Sequence, residues 1–219
     1  MSMGLPFVRS KMAMSLDGRT AMASGESKWI TSAESRADVQ RLRAESSAIL
    51  TGVNTVVADD PSLNVRLNDE TVGQPVRVVL DSELKIPLAS KLLGLAGQTW
   101  ILTCSVDKQK IQQLESATVK VFQLKSHQGR LDLNAVMVFL GQQQINNVLV
   151  EAGAILNGAL LDANLVDEWL VYMAPCVLGD KGRGLFNLPA MQTMADKKQL
   201  NMQAVRQVGA DLKLTFTIQ

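Results

Sequence analysis

The sequence predicts an α/β fold: a mixed, mostly parallel central sheet flanked by helices, closed by an antiparallel hairpin at its C-terminal end. Three observations predict it. Short runs rich in β-branched and apolar residues alternate with helical stretches along most of the chain, as strands joined by helical crossovers do. Runs such as AILT at 48–51 and WILT at 100–103 are almost wholly apolar, which suits strands covered on both faces. Near the end, Leu212, Leu214, Phe216 and Ile218 alternate with polar residues, the period-two pattern of a half-buried strand.

The elements follow in order. Segment 6–14 reads as a strand with Arg9, Lys11 and Ala13 on one face. Leu16-Asp17-Gly18 turns the chain, because Gly tolerates a positive φ. Segment 21–29 is small and polar, hence loop. Thr31-Ser32-Ala33-Glu34 matches a capping box opening a helix that runs to about Ser46, with Val39 and Leu42 inside. A strand at 48–51, Gly52 and a short helix over 53–58 come next. Asp59-Asp60-Pro61 ends that helix, since the residue before proline avoids helical geometry. Strands are expected at 76–81, 100–103 and 119–124, with a helix over 107–115 between the last two. Helix 133–141 carries the stripe Leu133, Val136, Met137 and Leu140. Strand 147–151, helix 153–161 and strand 168–174 precede a hairpin of 203–208 and 212–218.

Composition bounds the function. Hydrophobic residues make up 47% of 219 and charged residues 20%, a globular balance. A net charge of +1 gives no broad basic field for nucleic acid. No apolar run reaches the length of a membrane span, and the start lacks the pattern of a signal peptide. Cys104 and Cys176 lie far apart, which fits a reducing compartment, and read as small core residues. His127, the one histidine, reads as a surface loop residue, which argues against a Ser-His-Asp site. One His and two distant Cys do not supply a tetrahedral metal site.

Three constellations can carry chemistry. In the first, Glu151-Ala152-Gly153 joins a strand to a helix, and Gly153 and Gly158 let backbone approach a ligand; the helix start favours an anion such as a pyrophosphate. Glycines that pack a helix against a sheet explain the same spacing. In the second, Arg43 and Arg66, brought from separate elements, can grip a phosphate; solvated surface arginines are the alternative. In the third, Lys11 and Glu151, charged residues on strands, form either a proton-handling pair or a structural ion pair.

Taken in order, the segments resemble the reductase domain of the bacterial bifunctional riboflavin-biosynthesis deaminase/reductase. The matching stretches are 11–31, 36–66, 76–82, 146–161 and 165–180. SLDGR, then SGxSxWIT, DDPxLxxR and VEAG, carry the resemblance; 83–135 matches loosely. It implies a dihydrofolate-reductase-like fold, one reductase domain over 1–219 (with 1–4 outside its ordered part) and no deaminase domain. It implies a cytoplasmic homodimeric oxidoreductase that uses NADPH to reduce 5-amino-6-(5-phosphoribosylamino)uracil, with a deaminase domain or partner elsewhere. A reductase acting on the diaminopyrimidine precursor or a pterin, or a non-catalytic nucleotide-binding module, are the rival readings. By the resemblance, Ala13, Trp29, Thr55, Asp59, Ser82, Gly153, Ala154, Ile155, Leu156, Asn157, Gly158 and Ala159 fall on cofactor positions. Ser27, Arg43, Leu63, Arg66 and Glu151 fall on substrate positions, and Lys11, with Glu151, on catalytic ones. No metal and no nucleic acid are expected.

Overall fold

A computed structural model describes residues 4–67 and 72–218; the expectation for the first four residues therefore falls, for 1–3, outside the described residues. The strands are β1 (Phe7–Ser15), β2 (Arg19–Ala21), β3 (Ala48–Gly52), β4 (Val76–Leu80), β5 (Thr99–Thr103), β6 (Val119–Gln123), β7 (Ser126–His127), β8 (Arg130–Leu131), β9 (Asn147–Val150), β10 (Glu168–Ala174), β11 (Arg183–Gly184), β12 (Leu200–Val208) and β13 (Asp211–Ile218). The helices are α1 (Ala33–Ala44), α2 (Val53–Asp59), α3 (Lys108–Leu114), α4 (Leu133–Gln142) and α5 (Ala154–Asp162). Nine strands form one sheet in the order β12-β13-β10-β1-β9-β3-β4-β5-β6. The pairs β9–β3–β4–β5–β6 and β1–β10 are parallel, and β10–β13–β12 antiparallel. The mixed, mostly parallel sheet with a C-terminal antiparallel pair is thus present.

The chain divides into two compact units, Met1–Phe7 with Gln40–Glu151, and Val8–Val39 with Ala152–Gln219. In the first, Ile49, Val79 and Ile101 on parallel strands pack with Val56, Ile86, Leu92 and Leu114 into one core. Each such side chain contributes about 1.5–3 kcal/mol on burial. Arg77 is fully buried here and donates to Thr99 Oγ1 and to the carbonyls of Leu95, Ala96 and Gly97. It stitches β4 to the turn before β5, which a strand-pattern reading does not reveal. Asp107 and Asp132 cap α3 and α4 by accepting amide hydrogens.

In the second unit β1 has two distinct faces. Val8, Ser10 and Met12 are buried on one, where Ser10 Oγ donates to Asn157 Oδ1 of α5 at 2.9 Å. Arg9, Lys11 and Ala13 share the other, as the alternation predicts. Trp169 packs edge-on to Phe186. The expected Thr31–Glu34 box is not what starts α1. Ser32 Oγ accepts from Ser35 N at 3.2 Å, and Asp211 Oδ2 accepts from Ser32 N at 2.8 Å and Ser35 Oγ at 2.6 Å. Ser32 is the cap, one residue later than expected, and a buried aspartate from the distant hairpin holds it by accepting its amide, which local sequence cannot encode. The strand pair β2–β11 was also unexpected; its three- and two-residue strands are too short to show a period.

Cys104 and Cys176 are half-buried rather than core residues; Cys104 Sγ lies 3.4 Å from Ser82 O, whose carbonyl accepts it. His127 is exposed on β7. Among the described residues no helix is long and apolar enough to cross a membrane.

Candidate active site

In the first unit the chemistry gathers at the carboxyl end of β9, where open α/β sheets present ligands. Glu151 N donates to Leu50 O at 2.9 Å, so the ladder fixes Glu151 one residue past its strand. Its carboxylate accepts two hydrogen bonds from Arg43 in the last turn of α1, Nε to Oε1 at 2.6 Å and Nη2 to Oε2 at 3.0 Å. Arg43 Nη1 also donates to Asn64 O at 2.9 Å. The two side chains are only 11% and 13% exposed. Burial works against the Arg43 charge, but the field and hydrogen bonds of Glu151 outweigh it and raise the guanidinium pKa. The pair therefore holds a fixed carboxylate in a half-dry place, rigid because the fork is bidentate.

Three of the five N–H donors of Arg43 are thereby engaged. The Arg43–Glu151 ion pair joins residues 108 apart in sequence, a contact that no local pattern signals.

The loop after α2 carries the other residues of this unit. Asp60 sits left-handed at φ 42° as the helix cap, and its carboxylate accepts from Lys91 N at 2.9 Å. Leu63 is left-handed too, at φ 45°, with 3% exposure; such a conformation costs a side-chain-bearing residue about 1–3 kcal/mol. Burial of Leu63 offsets that. The Gln74 amide brackets Val65, accepting from its N at 2.9 Å and donating to its O at 3.0 Å. Arg66 follows, exposed, its backbone N donating to Gln40 Oε1 of α1 at 2.9 Å. Thr55 is half-buried, Asp59 exposed and Ser82 half-buried, with Ser82 Oγ accepting from Leu131 N at 3.1 Å.

In the second unit Lys11 Nζ lies 5.7 Å from the ring centroid of Tyr172, and Ala13 pairs in register with Tyr172. Ser27 is half-buried. Trp29 is 71% exposed, with Arg36 Cζ 4.7 Å over its ring. Gly153 is the N-cap of α5 and makes no side-chain cap bond; a Cβ there would meet nothing within 4 Å. Ala154 and Leu156 are half-buried, Ile155 and Ala159 exposed. Gly158 is different. A Cβ there would lie 2.1 Å from the Asn187 carbonyl oxygen, so protein, not ligand, occupies that approach. Asn157, 1% exposed, is likewise spent on Ser10 and on the Ala152 carbonyl. Of the two readings of the glycine spacing, the open turn holds at Gly153 and packing holds at Gly158.

Asp38, Tyr172 and Lys213, which form a linked polar cluster in this unit, were not singled out in the sequence. A signal existed. Asp38 precedes Val39 by one residue and Leu42 by four, which puts an acid on the buried face of α1.

A family profile described as the RibD C-terminal domain matches residues 6–214. The riboflavin biosynthesis protein RibD of Escherichia coli K12 is 45% identical over 225 residues, covering 98% of this chain and 60% of its own length. A 5-amino-6-(5-phosphoribosylamino)uracil reductase of Buchnera aphidicola subsp. Acyrthosiphon pisum is 33% identical over 90% of this chain and 98% of that protein. The solved structure of Acinetobacter baumannii RibD, form 1, is similar with a TM-score of 0.88 and 40% identity, over 100% of this chain and 60% of that one. The chain thus spans about 60% of the length of these RibD relatives.

Proposed function

The chain belongs to the RibD C-terminal domain family, and on that premise we propose that it reduces 5-amino-6-(5-phosphoribosylamino)uracil to the ribitylamino compound with NADPH, in riboflavin biosynthesis. The observation that carries the reading is the carboxylate of Glu151, clamped by Arg43 at the carboxyl end of β9. A fixed acceptor of that kind orients the hydroxyl and amino groups of a sugar-pyrimidine, and orientation is most of what a protein adds to cofactor chemistry.

Gly153 fits the pyrophosphate of the dinucleotide. The position is open, no side chain caps the helix, and the first amides of α5 favour an anion. Bound NADPH would supply the hydride that reduces the sugar C1′. Around it Ala13, Trp29, Thr55, Asp59, Ser82 and the first turns of α5 are the proposed cofactor contacts, with Asn157 and Gly158 supporting that turn from beneath. Lys11 holds a proton near the ring oxygen as the ribosylamine opens. Glu151 and Ser27 accept and donate hydrogen bonds to the pyrimidine and ribose, and Leu63 shapes the loop beneath them. Arg66 takes the 5′-phosphate, a remote group whose binding orients the reacting end; Arg43 contributes chiefly by fixing Glu151. We extend the proposal to a cytoplasmic homodimer that works beside a deaminase domain or partner.

The test is NADPH oxidation by the purified chain with the phosphoribosylaminouracil, its not-yet-deaminated diaminopyrimidine counterpart and a pterin as separate substrates, and NADH as the second cofactor. Turnover confined to the uracil with NADPH is expected. Preference for the diaminopyrimidine or the pterin, or no substrate-dependent oxidation, overturns the reading.

A further inference from the structure

Lys11 does not stand on β1 alone. In the second unit one face of the sheet carries a row at a single register: Ala13 on β1 opposite Tyr172 on β10, Tyr172 opposite Lys213 on β13, and Lys213 opposite Arg206 on β12. Lys11 lies two residues before Ala13, so it shares this face. Tyr172, the one tyrosine of the chain, is fully buried. Its hydroxyl donates to Asp38 Oδ2 at 2.6 Å. Lys213 Nζ donates to the same oxygen at 2.8 Å, and Arg206 Nη2 reaches Asp38 Oδ1 at 3.4 Å. Two ammonium groups approach the one ring, Lys11 at 5.7 Å and Lys213 at 5.4 Å from its centroid.

Such an arrangement is costly unless it does something. Two cations beside one ring repel each other, and a buried tyrosine tied to a buried carboxylate orders three side chains. The carboxylate of Asp38 offsets the charge of Lys213. Burial alone would raise the Asp38 pKa, yet the bonds from Lys213 and Tyr172 outweigh it and hold it below the ordinary value. The ring of Tyr172 is thereby locked at its hydroxyl end, and its π face is a fixed attractive surface for the Lys11 ammonium.

We propose that Tyr172 is a positioning residue for Lys11: its ring, anchored by Asp38, holds the lysine in place and favours its charged form, while Lys213 beside the same ring opposes that charge. The proposal deepens the reading of Lys11 as the proton-handling residue and rests on it for its meaning in catalysis. Charged groups on the elements packed around Tyr172 in this unit include Arg9 on β1, paired with Glu168 on β10, and Asp38 on α1, paired with Lys213 on β13 and Arg206 on β12.

The test reads Lys11 itself and does not need turnover. Competitive acetylation of the full chain across alkaline pH, followed by peptide mass spectrometry, gives the fraction of Lys11 in the reactive amine form, each variant normalised to its own high-pH plateau. Tyr172→Leu removes the ring and should increase the amine fraction at fixed pH by about threefold or more, since a cation-π contact of this kind is a several-fold effect. Tyr172→Phe keeps the ring and should leave that fraction within about twofold of the parent. Lys213→Met removes the competing cation and should shift the fraction the opposite way. If Tyr172→Leu does not fold, replacing the one tyrosine by a ring-fluorinated tyrosine, which keeps the shape but weakens the π face, should raise the amine fraction in its place, and no change there overturns the proposal. Titration of Lys11 that is the same in every folded variant, or a Lys213→Met shift in the same direction as Tyr172→Leu, overturns the proposal. Because labelling is independent of reduction, a chain that labels as expected but oxidises no NADPH would overturn the proposed function and leave this positioning role intact.

Discussion

At the scale of single residues, charge is what the fold handles most carefully. Arg66 is exposed while Arg43 is tied to Glu151 and the Asn64 carbonyl, so the proposed function gives the phosphate to Arg66. Arg66→Ala is expected to raise KM for the phosphorylated substrate by roughly tenfold or more, as loss of a charged hydrogen bond does, with NADPH affinity unchanged; steady-state kinetics with each ligand varied in turn measures it. Asp17 shows the other use of charge. Its carboxylate accepts from Ser15 Oγ and from the amides of Leu178 and Gly179, pinning the turn after β1 to the loop after β10. The Ser15 bond is the largest cause; burial opposes it, and the amides of Leu178 and Gly179 add to it, so that the pKa falls from 3.8 to about 2. A depressed carboxylate stabilises the fold fully above its unfolded value and loses that contribution as pH falls through the folded one. Acid unfolding curves of the parent and Asp17→Asn should therefore differ above pH 3.8 and converge toward about pH 2.

At the scale of elements, contacts between them overrule local propensity. Alanine within a helix is ordinarily about 1 kcal/mol better than glycine. In α5 the sign reverses at Gly158, because the new methyl would meet the rigid Asn187 carbonyl. Gly158→Ala should lose about 1–3 kcal/mol in urea unfolding, the cost of overpacking. β4 depends on Arg77 in the same way. Burial pulls the Arg77 pKa down, so its charge is held against that by hydrogen bonds to Thr99 and three carbonyls. Arg77→Met should cost about 3 kcal/mol, since it leaves buried acceptors unpaired, and should do so without raising KM for either ligand. Element positions themselves were legible. Strand 168–174 stands where the sequence placed it, and the helices expected over 107–115 and 133–141 form at Lys108–Leu114 and Leu133–Gln142, because hydrophobic pattern is local.

At the scale of the whole molecule, the sheet ends on β12, whose side chains from 201 to 207 are exposed, Met202 and Val205 among them. An outer strand of this length is a place proteins usually cover or blunt. This accords with the proposed homodimer, and sedimentation velocity at micromolar concentration should give twice the chain mass; a monomer throughout removes that part of the proposal. The order of the sheet, with β1 between β9 and β10, was not legible. Alternating strands and helices imply parallel pairing but leave open which strands become neighbours, since pairing is decided by long-range closure rather than by any one segment.

Sequence alone determined the class of fold, most elements, and the family, because hydrophobic period, turn chemistry and ordered motifs are written within short windows. It also named Lys11, Glu151, Arg43, Arg66 and Gly153 as candidates. Tertiary structure decided which partner each one meets: Glu151 with Arg43, Lys11 with the ring of Tyr172, Gly158 with the Asn187 carbonyl, and Asp211 with the start of α1. Hydrogen bonds and charge pairs act over a few ångströms of space, and chain distance does not determine which groups come that close.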